Sequence, residues 1–334
     1  MFRKKKLIFI YNPFSGVGGK RLIVRQIGSI IDCEKYDYEI RKIEHEGHAK
    51  ELAKAAVKEK ADIVCAIGGD GTVNSIASEL INSDTALAII PAGSGNGLAR
   101  HLHIPLDIEK ALMLINDGNC RKMDYGVVNL IPFFCTCGVG FDAFISQKFA
   151  SSRIRGPLAY VEKLLLNGLA FKPELYDIDI VDVQEVHQVR TAFIITCANA
   201  SQYGNNAYIA PQASVFDGLL DVTILRPFTP LEVPQLAMQL FNGTIDQNSR
   251  IETFQCKSMS IHRHKPGVIH FDGDPVDTTA DVEFAIVPQG LNCICPEDEG
   301  VSDIAENIQN EIMEQFNKIK ISWQQTLKKK KLKS

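Results

Sequence analysis

The sequence predicts an α/β-plus-β protein: a doubly wound parallel-sheet domain, then an antiparallel β-sandwich, then an amphipathic helix. Three observations predict it. Strand and helix signals alternate through the first third. Strand-like runs crowd together after about Asp124. An apolar stripe recurs every three or four residues from Ile304 to Leu327. Alternation builds a parallel sheet covered on both faces. Crowded strands with few helices build a sandwich. A stripe of that period is one face of a helix.

The first strand is Leu7 to Tyr11, closed by Asn12-Pro13. Its basic lead-in, Arg3 to Lys6, resembles the start of a signal peptide, but the apolar run is too short for one. A helix follows over roughly Gly19 to Ile31, a strand over Tyr36 to Ile43, and an alanine- and lysine-rich helix over Ala49 to Lys60. Asp62 to Ile67 is a buried strand, Thr72 to Ile81 a helix, and Ala86 to Ile90 the next strand. Beyond lie strand-like runs at Phe133–Phe144, Leu175–Val183, Val189–Ala198, Leu219–Leu225, Phe254–His262, Val268–Phe271 and Val282–Val287. Helices interrupt them near Leu158–Leu169 and Leu231–Phe241. The expected domains are 1–125, 126–296 and a terminal helix with a polybasic tail over 297–334. The stripe of that helix fits docking on its own protein and also insertion into a membrane surface.

A chain of 334 residues exceeds one compact core and suits two domains. No apolar run approaches bilayer length. The nine cysteines include no C-x-x-C pair, and Cys135/Cys137 and Cys293/Cys295 lie in strand-like runs, where alternation puts each pair on one face. Buried reduced thiols in a cytoplasmic protein are the expectation. The net charge is −4, yet residues 3–6 carry four positive charges and 328–333 five, so the remainder sums to −13. An acidic body argues against a nucleic-acid partner. The basic ends suit peripheral contact with the inner face of an anionic membrane. A homodimer is compatible with the sequence, which does not fix the oligomeric state.

Glycine-rich turns follow three strands: Asn12-Pro13-Phe14-Ser15-Gly16, Gly68-Gly69-Asp70-Gly71-Thr72 and Pro91-Ala92-Gly93-Ser94-Gly95-Asn96-Gly97. The last two stand between a strand and a helix, on the carboxyl edge where doubly wound sheets bind ligands. Bare amides at a helix start suit phosphate oxygens. The P-loop and dinucleotide fingerprints are both absent, since Arg21 follows Gly19-Lys20 and Leu98 replaces the third glycine after Gly93 and Gly95. Asp70 beside phosphates calls for a cation such as Mg²⁺, or it caps its helix.

Gly68-Gly69-Asp70-Gly71-Thr72-Val73-Asn74 resembles the nucleotide motif of the diacylglycerol kinase and sphingosine kinase superfamily. The turns at Asn12–Gly16 and Pro91–Arg100 are similar to its first and third loops. Ala198-Asn199 with Gly204, Pro211–Asp221 and Phe271-Asp272-Gly273-Asp274-Pro275 are similar to its later motifs. The resemblance covers about residues 5–290. It implies a Rossmann-like nucleotide domain and a β-sandwich with the active site between them. ATP would touch Asn12 to Gly16, Gly68 to Asn74, Gly93 and Ser94. A structural Mg²⁺ would be held by Ser214, Asp217 and the carbonyl of Leu219. Asp274 would be the base, with Asp272 beside it on a strand-like segment, Asp70 at the phosphates, and Asp124 supporting the metal or the hinge. The implied reaction moves the γ-phosphate of ATP to diacylglycerol or a related lipid such as a sphingoid base. Asp274 stands where the family usually has Glu, Gly97 where it often has Asp, and Ile43 where it usually has Thr. NAD kinase and a non-catalytic nucleotide or lipid sensor are the rival readings.

Overall fold

Apolar strands buried along their length make the centre of the first unit in the computed structural model, which describes residues 3–13, 20–150, 171–181 and 185–297. They are β1 (Lys5–Tyr11), β3 (Ile63–Gly68) and β4 (Ala86–Pro91), with the polar, largely uncovered β2 (Tyr36–Lys42) at the edge, in the order β2-β1-β3-β4 and all parallel. Every position of β3 and β4 is buried, as a sheet covered on both faces requires. Helices α1 (Lys20–Ile30), α2 (His48–Lys58), α3 (Asp70–Leu80), α4 (Gly97–His101) and α5 (Ile108–Asp117) fill the crossovers. α2 packs on α3, and α1 on α5. Strand order reverses between β1 and β3, so their carboxyl ends open side by side, with the Asn12 amide donating to Ile67 O at 3.0 Å.

After α5 the chain forms β5 (Asn119–Val128), β6 (Ile131–Phe133), β7 (Thr136–Gly140), α6 (Phe141–Ala150), β8 (Glu174–Val181), β9 (Glu185–Ala192), β10 (Ile194–Ala198) and β11 (Leu220–Leu225). Then come α7 (Val233–Asn242), β12 (Ile251–Cys256), β13 (Ser258–Arg263), β14 (Gly267–Phe271), β15 (Asp274–Thr278) and β16 (Asp281–Cys295). One antiparallel sheet has the order β12-β11-β10-β7-β14-β15. It faces β8, β13 and the first half of β16 across a core that includes Val139, Tyr176, Ile195, Val222, Ile261 and Phe284.

β16 joins the two units. Its first half pairs with β13, Cys293 pairs with Leu87 of β4, and β5 runs antiparallel along most of its length. A bulge between Val287 and Leu291 breaks that register. A Cβ on Gly290 there would fall 2.3 Å from the Tyr125 ring, so only glycine lets the strand cross it. Leu291, Cys293, Ile294 and Cys295 therefore pack in the core of the first unit, and residue 125 lies inside β5.

Several elements differ from the sequence reading. The run Phe133–Phe144 is not one strand: Gly140 takes a φ of +101°, and α6 starts at Phe141. Phe254–His262 is two strands, β12 and β13, broken at Lys257 and belonging to different sheets. Cys135 packs with the first core and Cys137 with the second, because Cys135 precedes β7 and escapes its alternation. None of the nine cysteines forms a disulfide. The expectations for Phe14, Ser15, Gly16, the helix at 158–169 and the terminal helix beyond 297 fall outside the described residues.

Candidate active site

The glycines of the second and third loops let backbones touch. A Cβ on Gly93 would lie 2.3 Å from the Cα of Gly69, and one on Gly95 would lie 2.5 Å from Asp70 Oδ2. One on Gly68 would meet Thr72 Oγ1 at 2.6 Å. The sandwich contributes as well, since Gly97 lies against the amide of Gly204 and the Asn205 amide donates to Gly95 O at 3.1 Å. Gly71 differs from these. Its Cβ would meet nothing within 4 Å, so the first turn of α3 is open at that point.

Asp70 is the first residue of α3, whose N-cap is Gly69. Its carboxylate reaches across to the third loop. It accepts from the amides of Asn96 at 2.9 Å and Gly97 at 2.6 Å, the start of α4, and so ties the second loop to the third. Burial raises its pKa, opposed by the amides of Gly97 and Asn96, by its own amide and by the charge of Arg100. The Asn96 side chain closes the third loop on itself through Gly93 N and Gly93 O, both at 3.0 Å. Arg100 donates to Gly95 O and to Asn206 Oδ1, each at 3.0 Å. From the first loop, Asn12 donates to Thr72 Oγ1 at 3.1 Å, and Pro13 follows it at the same edge. Val73 is buried in the core rather than facing the cleft, while Ser94 is exposed at its mouth.

Asp272 and Gly273 form a two-residue hairpin turn between β14 and β15, with φ of +47° and +90°. A D-G pair with both φ positive is the turn that matches strand twist. Asp272 is thus in a turn and not on a strand. Its buried carboxylate accepts from the amides of Phe134 (2.8 Å), Cys135 (2.7 Å) and Thr136 (3.0 Å) and from Asn74 Nδ2 (2.7 Å). Burial raises its pKa against those four donors. Asp274 begins β15, is exposed, and has its pKa raised by desolvation and then by the charge of Asp70, with Lys50 opposing. A carboxylate with a raised pKa beside a phosphate-type loop is placed to accept a proton.

Asp124 is buried at the junction of the units. It accepts from Gly218 N and Gln289 N, both at 2.7 Å, and so fixes the 214–219 turn to the bulge of β16. Within that turn Phe216 N donates to Ser214 Oγ at 3.2 Å and Leu219 N to Asp217 Oδ1 at 3.0 Å. Arg121 covers the Phe216 ring, its guanidinium carbon 3.8 Å from the centroid. The Ser214 hydroxyl, Asp217 carboxylate and Leu219 carbonyl are hard oxygens of the kind Mg²⁺ takes. Nearby Asp221 is pushed up to about 6 by burial, with Gln255 opposing and Asp217's charge adding to the rise. A cation would relieve that crowding, so the residues fit one.

A cavity of about 100 Å³ lies under this edge. Asp70, Asp272 and Cys135 line it, together with Asp142, Ser146, Tyr203 and His270. Sequence reasoning missed these four, and Asn96 too. Asp142 falls in a run that reads as apolar strand, and His270 alternates within β14 like any core residue. Only the D-G hairpin signal beside His270 could have pointed there.

Residues 6–128 match the diacylglycerol kinase catalytic domain, and residues 135–295 match the YegS C-terminal NAD kinase beta sandwich-like domain. An uncharacterized protein of Synechocystis is 30% identical over 86% of this chain and 69% of its own length. A diacylglycerol kinase of Mycobacterium tuberculosis is 27% identical over 87% of this chain and 95% of its own. The crystal structure of a diacylglycerol kinase from Bacillus anthracis superposes with a TM-score of 0.67 at 19% identity, covering 88% of this chain and 98% of that one. A second structure from the same organism gives 0.72 at 22% identity, over 88% and 96%.

Proposed function

The chain belongs to the diacylglycerol kinase family of lipid kinases, and on that premise we propose that it transfers the γ-phosphate of ATP to a hydroxyl of diacylglycerol or a related lipid. The observation that carries this reading is the placement of Asp274. It begins β15 directly after the Asp272-Gly273 turn that lines the cavity, close enough to Asp70 for that charge to raise its pKa.

The nucleotide phosphates lie along the open first turn of α3 at Gly71, where amides and the helix dipole favour anions. Asn12 and Thr72 hold the first two loops at that spot. The acceptor hydroxyl enters from the sandwich side. Its oxygen bonds to the γ-phosphorus as the bond to the β-phosphate oxygen breaks, its proton passes to the Asp274 carboxylate, and ADP leaves. Ser214, Asp217 and Leu219 would hold Mg²⁺, which supplies charge neutralisation there. Asp70, Asp124 and Asp272 act through backbone: each uses its carboxylate to fix a loop rather than to meet the substrate. The basic segments 3–6 and 328–333 bring the protein to an anionic, cytoplasmic-side membrane surface, and truncation before Val301 is expected to abolish vesicle binding.

Phosphate transfer from labelled ATP with Mg²⁺ tests the assignment. Diacylglycerol, monoacylglycerol, sphingosine and ceramide are offered in mixed micelles and NAD in buffer. One labelled lipid, lost in Asp70→Asn and Asp274→Asn, is the expected outcome. Labelled NAD alone, or bound ATP with no product, would overturn it.

A further inference from the structure

The loop between β2 and α2 gathers two imidazoles and a carboxylate. His45 lies in the loop, His48 is the first residue of α2, and Glu51 follows in its first turn. His48 and Glu51, three apart on a helix, share a face. Gly47 makes the turn between the histidines at a φ of +82°, a conformation that favours glycine. The two rings stack with centroids 4.5 Å apart and planes 6° from parallel. One ligand atom from each of the three residues lies within 4.8 Å of the other two. Among the described residues this is the one cluster of three histidine, cysteine or carboxylate groups so close together.

The backbone decides which nitrogens are available. His45 Nδ1 lies 2.9 Å from the carbonyl oxygen of Glu46. A carbonyl only accepts, so Nδ1 carries the proton and Nε2 of the neutral ring holds a lone pair. A carbonyl behind the far nitrogen is the arrangement that orients metal-ligating histidines. His48 Nδ1 accepts from the amide of Glu44 at 3.1 Å, so its lone pair is on Nδ1. Glu44 is exposed, and water replaces the ring on its amide when an ion takes that nitrogen. The start of α2 is the positive end of a helix dipole, roughly half an elementary charge, and opposes a cation. Glu44, Glu46 and Glu51 outnumber Lys50 in the same stretch, so full negative charges outweigh that opposition.

We propose that His45, His48 and Glu51 bind a divalent transition-metal ion of the Zn²⁺ type, through His45 Nε2, His48 Nδ1 and a carboxylate oxygen of Glu51. Imidazole suits Zn²⁺, Ni²⁺ and Cu²⁺, whereas Mg²⁺ takes oxygens. The two nitrogens therefore set this site apart from the oxygen turn at Ser214, Asp217 and Leu219. An ion about 2 Å from each donor draws the donors to about 3.3 Å of one another. All three side chains are exposed or half-buried, so rotation supplies that closure. Three protein ligands leave a position for water. The loop leaves the carboxyl end of β2, where Lys42 pairs with Tyr11 of β1, so the ion stands at the sheet edge that also carries the glycine loops.

The test titrates the full chain, stripped with a chelator, with Zn²⁺ alone and with Co²⁺ alone. One ion per chain is expected at this site, undisplaced by excess Mg²⁺. His45→Ala and Glu51→Ala each change an exposed side chain and are each expected to weaken binding by about tenfold or more. Thermal melts of the metal-free variants are expected to match the parent. Nitrogen-15 spectra of the imidazoles are expected to show His45 ligating through Nε2 and His48 through Nδ1. The Co²⁺ spectrum is expected to lack a thiolate band, which separates this site from the exposed thiols Cys33 and Cys120. No bound Zn²⁺, an affinity unmoved in both variants, or ligation by thiolate alone would overturn the proposal.

Discussion

The side-chain amide of Asn74 meets the carboxylate of Asp272 at 2.7 Å across 198 positions of sequence. One residue belongs to the first turns of α3 and the other to the hairpin of the sandwich, so this bond sets where the candidate base stands relative to the phosphate loop. Asn74→Ala leaves a buried carboxylate one donor short. A loss of about 1–3 kcal/mol in unfolding free energy is expected, with a fall in kcat. Urea denaturation beside initial rates checks it, and unchanged values for both would show that the contact contributes nothing.

Gly93 and Gly71 separate two uses of glycine. Gly93→Ala sets a methyl carbon 2.3 Å from the backbone of Gly69, and neither loop can turn a side chain away. Destabilisation of about 1–3 kcal/mol is expected. Gly71→Ala has open space and a helical position, so stability is expected to hold or to rise by up to about 1 kcal/mol, while ATP affinity falls. Thermal melts and nucleotide titrations of the pair decide the matter. Normal ATP binding by Gly71→Ala would remove the phosphates from α3.

The acid limb of kcat/KM is expected above the ordinary aspartate value of about 3.9, because desolvation and the charge of Asp70 favour the protonated form of Asp274. The base works only when deprotonated, so activity rises as pH rises through that raised pKa. Lys50 pulls the value down. Lys50→Met should therefore move the limb to higher pH. A limb that stays put, or moves down, would take the role from Asp274.

Asp221 reports on the cation turn. Its carboxyl titrates at about 6, and the charge of Asp217 is one cause. Asp217→Asn removes that repulsion and is expected to lower the value, as is Mg²⁺ held at Asp217. Carbon-13 titration of the side-chain carboxyls, with and without Mg²⁺, follows both. A fall in the variant but none with Mg²⁺ would place the cation elsewhere.

Local signals carried the fold where contacts are local. The unbroken apolar runs of β3 and β4 and the alanine face of α2 show their burial directly in the residues. They failed where the chain changes role without changing composition. The residues from Phe141 on are apolar enough for a strand, yet Gly140 turns them into α6. Lys257 is an ordinary residue at the point where β12 leaves one sheet and β13 joins the other.

The sequence by itself determined which backbones must be bare and which strands must be buried, because glycine spacing and apolar period are properties of neighbouring residues. It also singled out Asp70, Asp272 and Asp274 as candidate site residues. Only the tertiary structure decided what each does. A carboxylate's role depends on what faces it, and the partners of Asp70, Asp272 and Asp142 come from segments 26, 138 and 128 positions away. No local pattern encodes those meetings. They follow from the packing of the sandwich hairpin against the start of α3, where Asp272 meets Asn74.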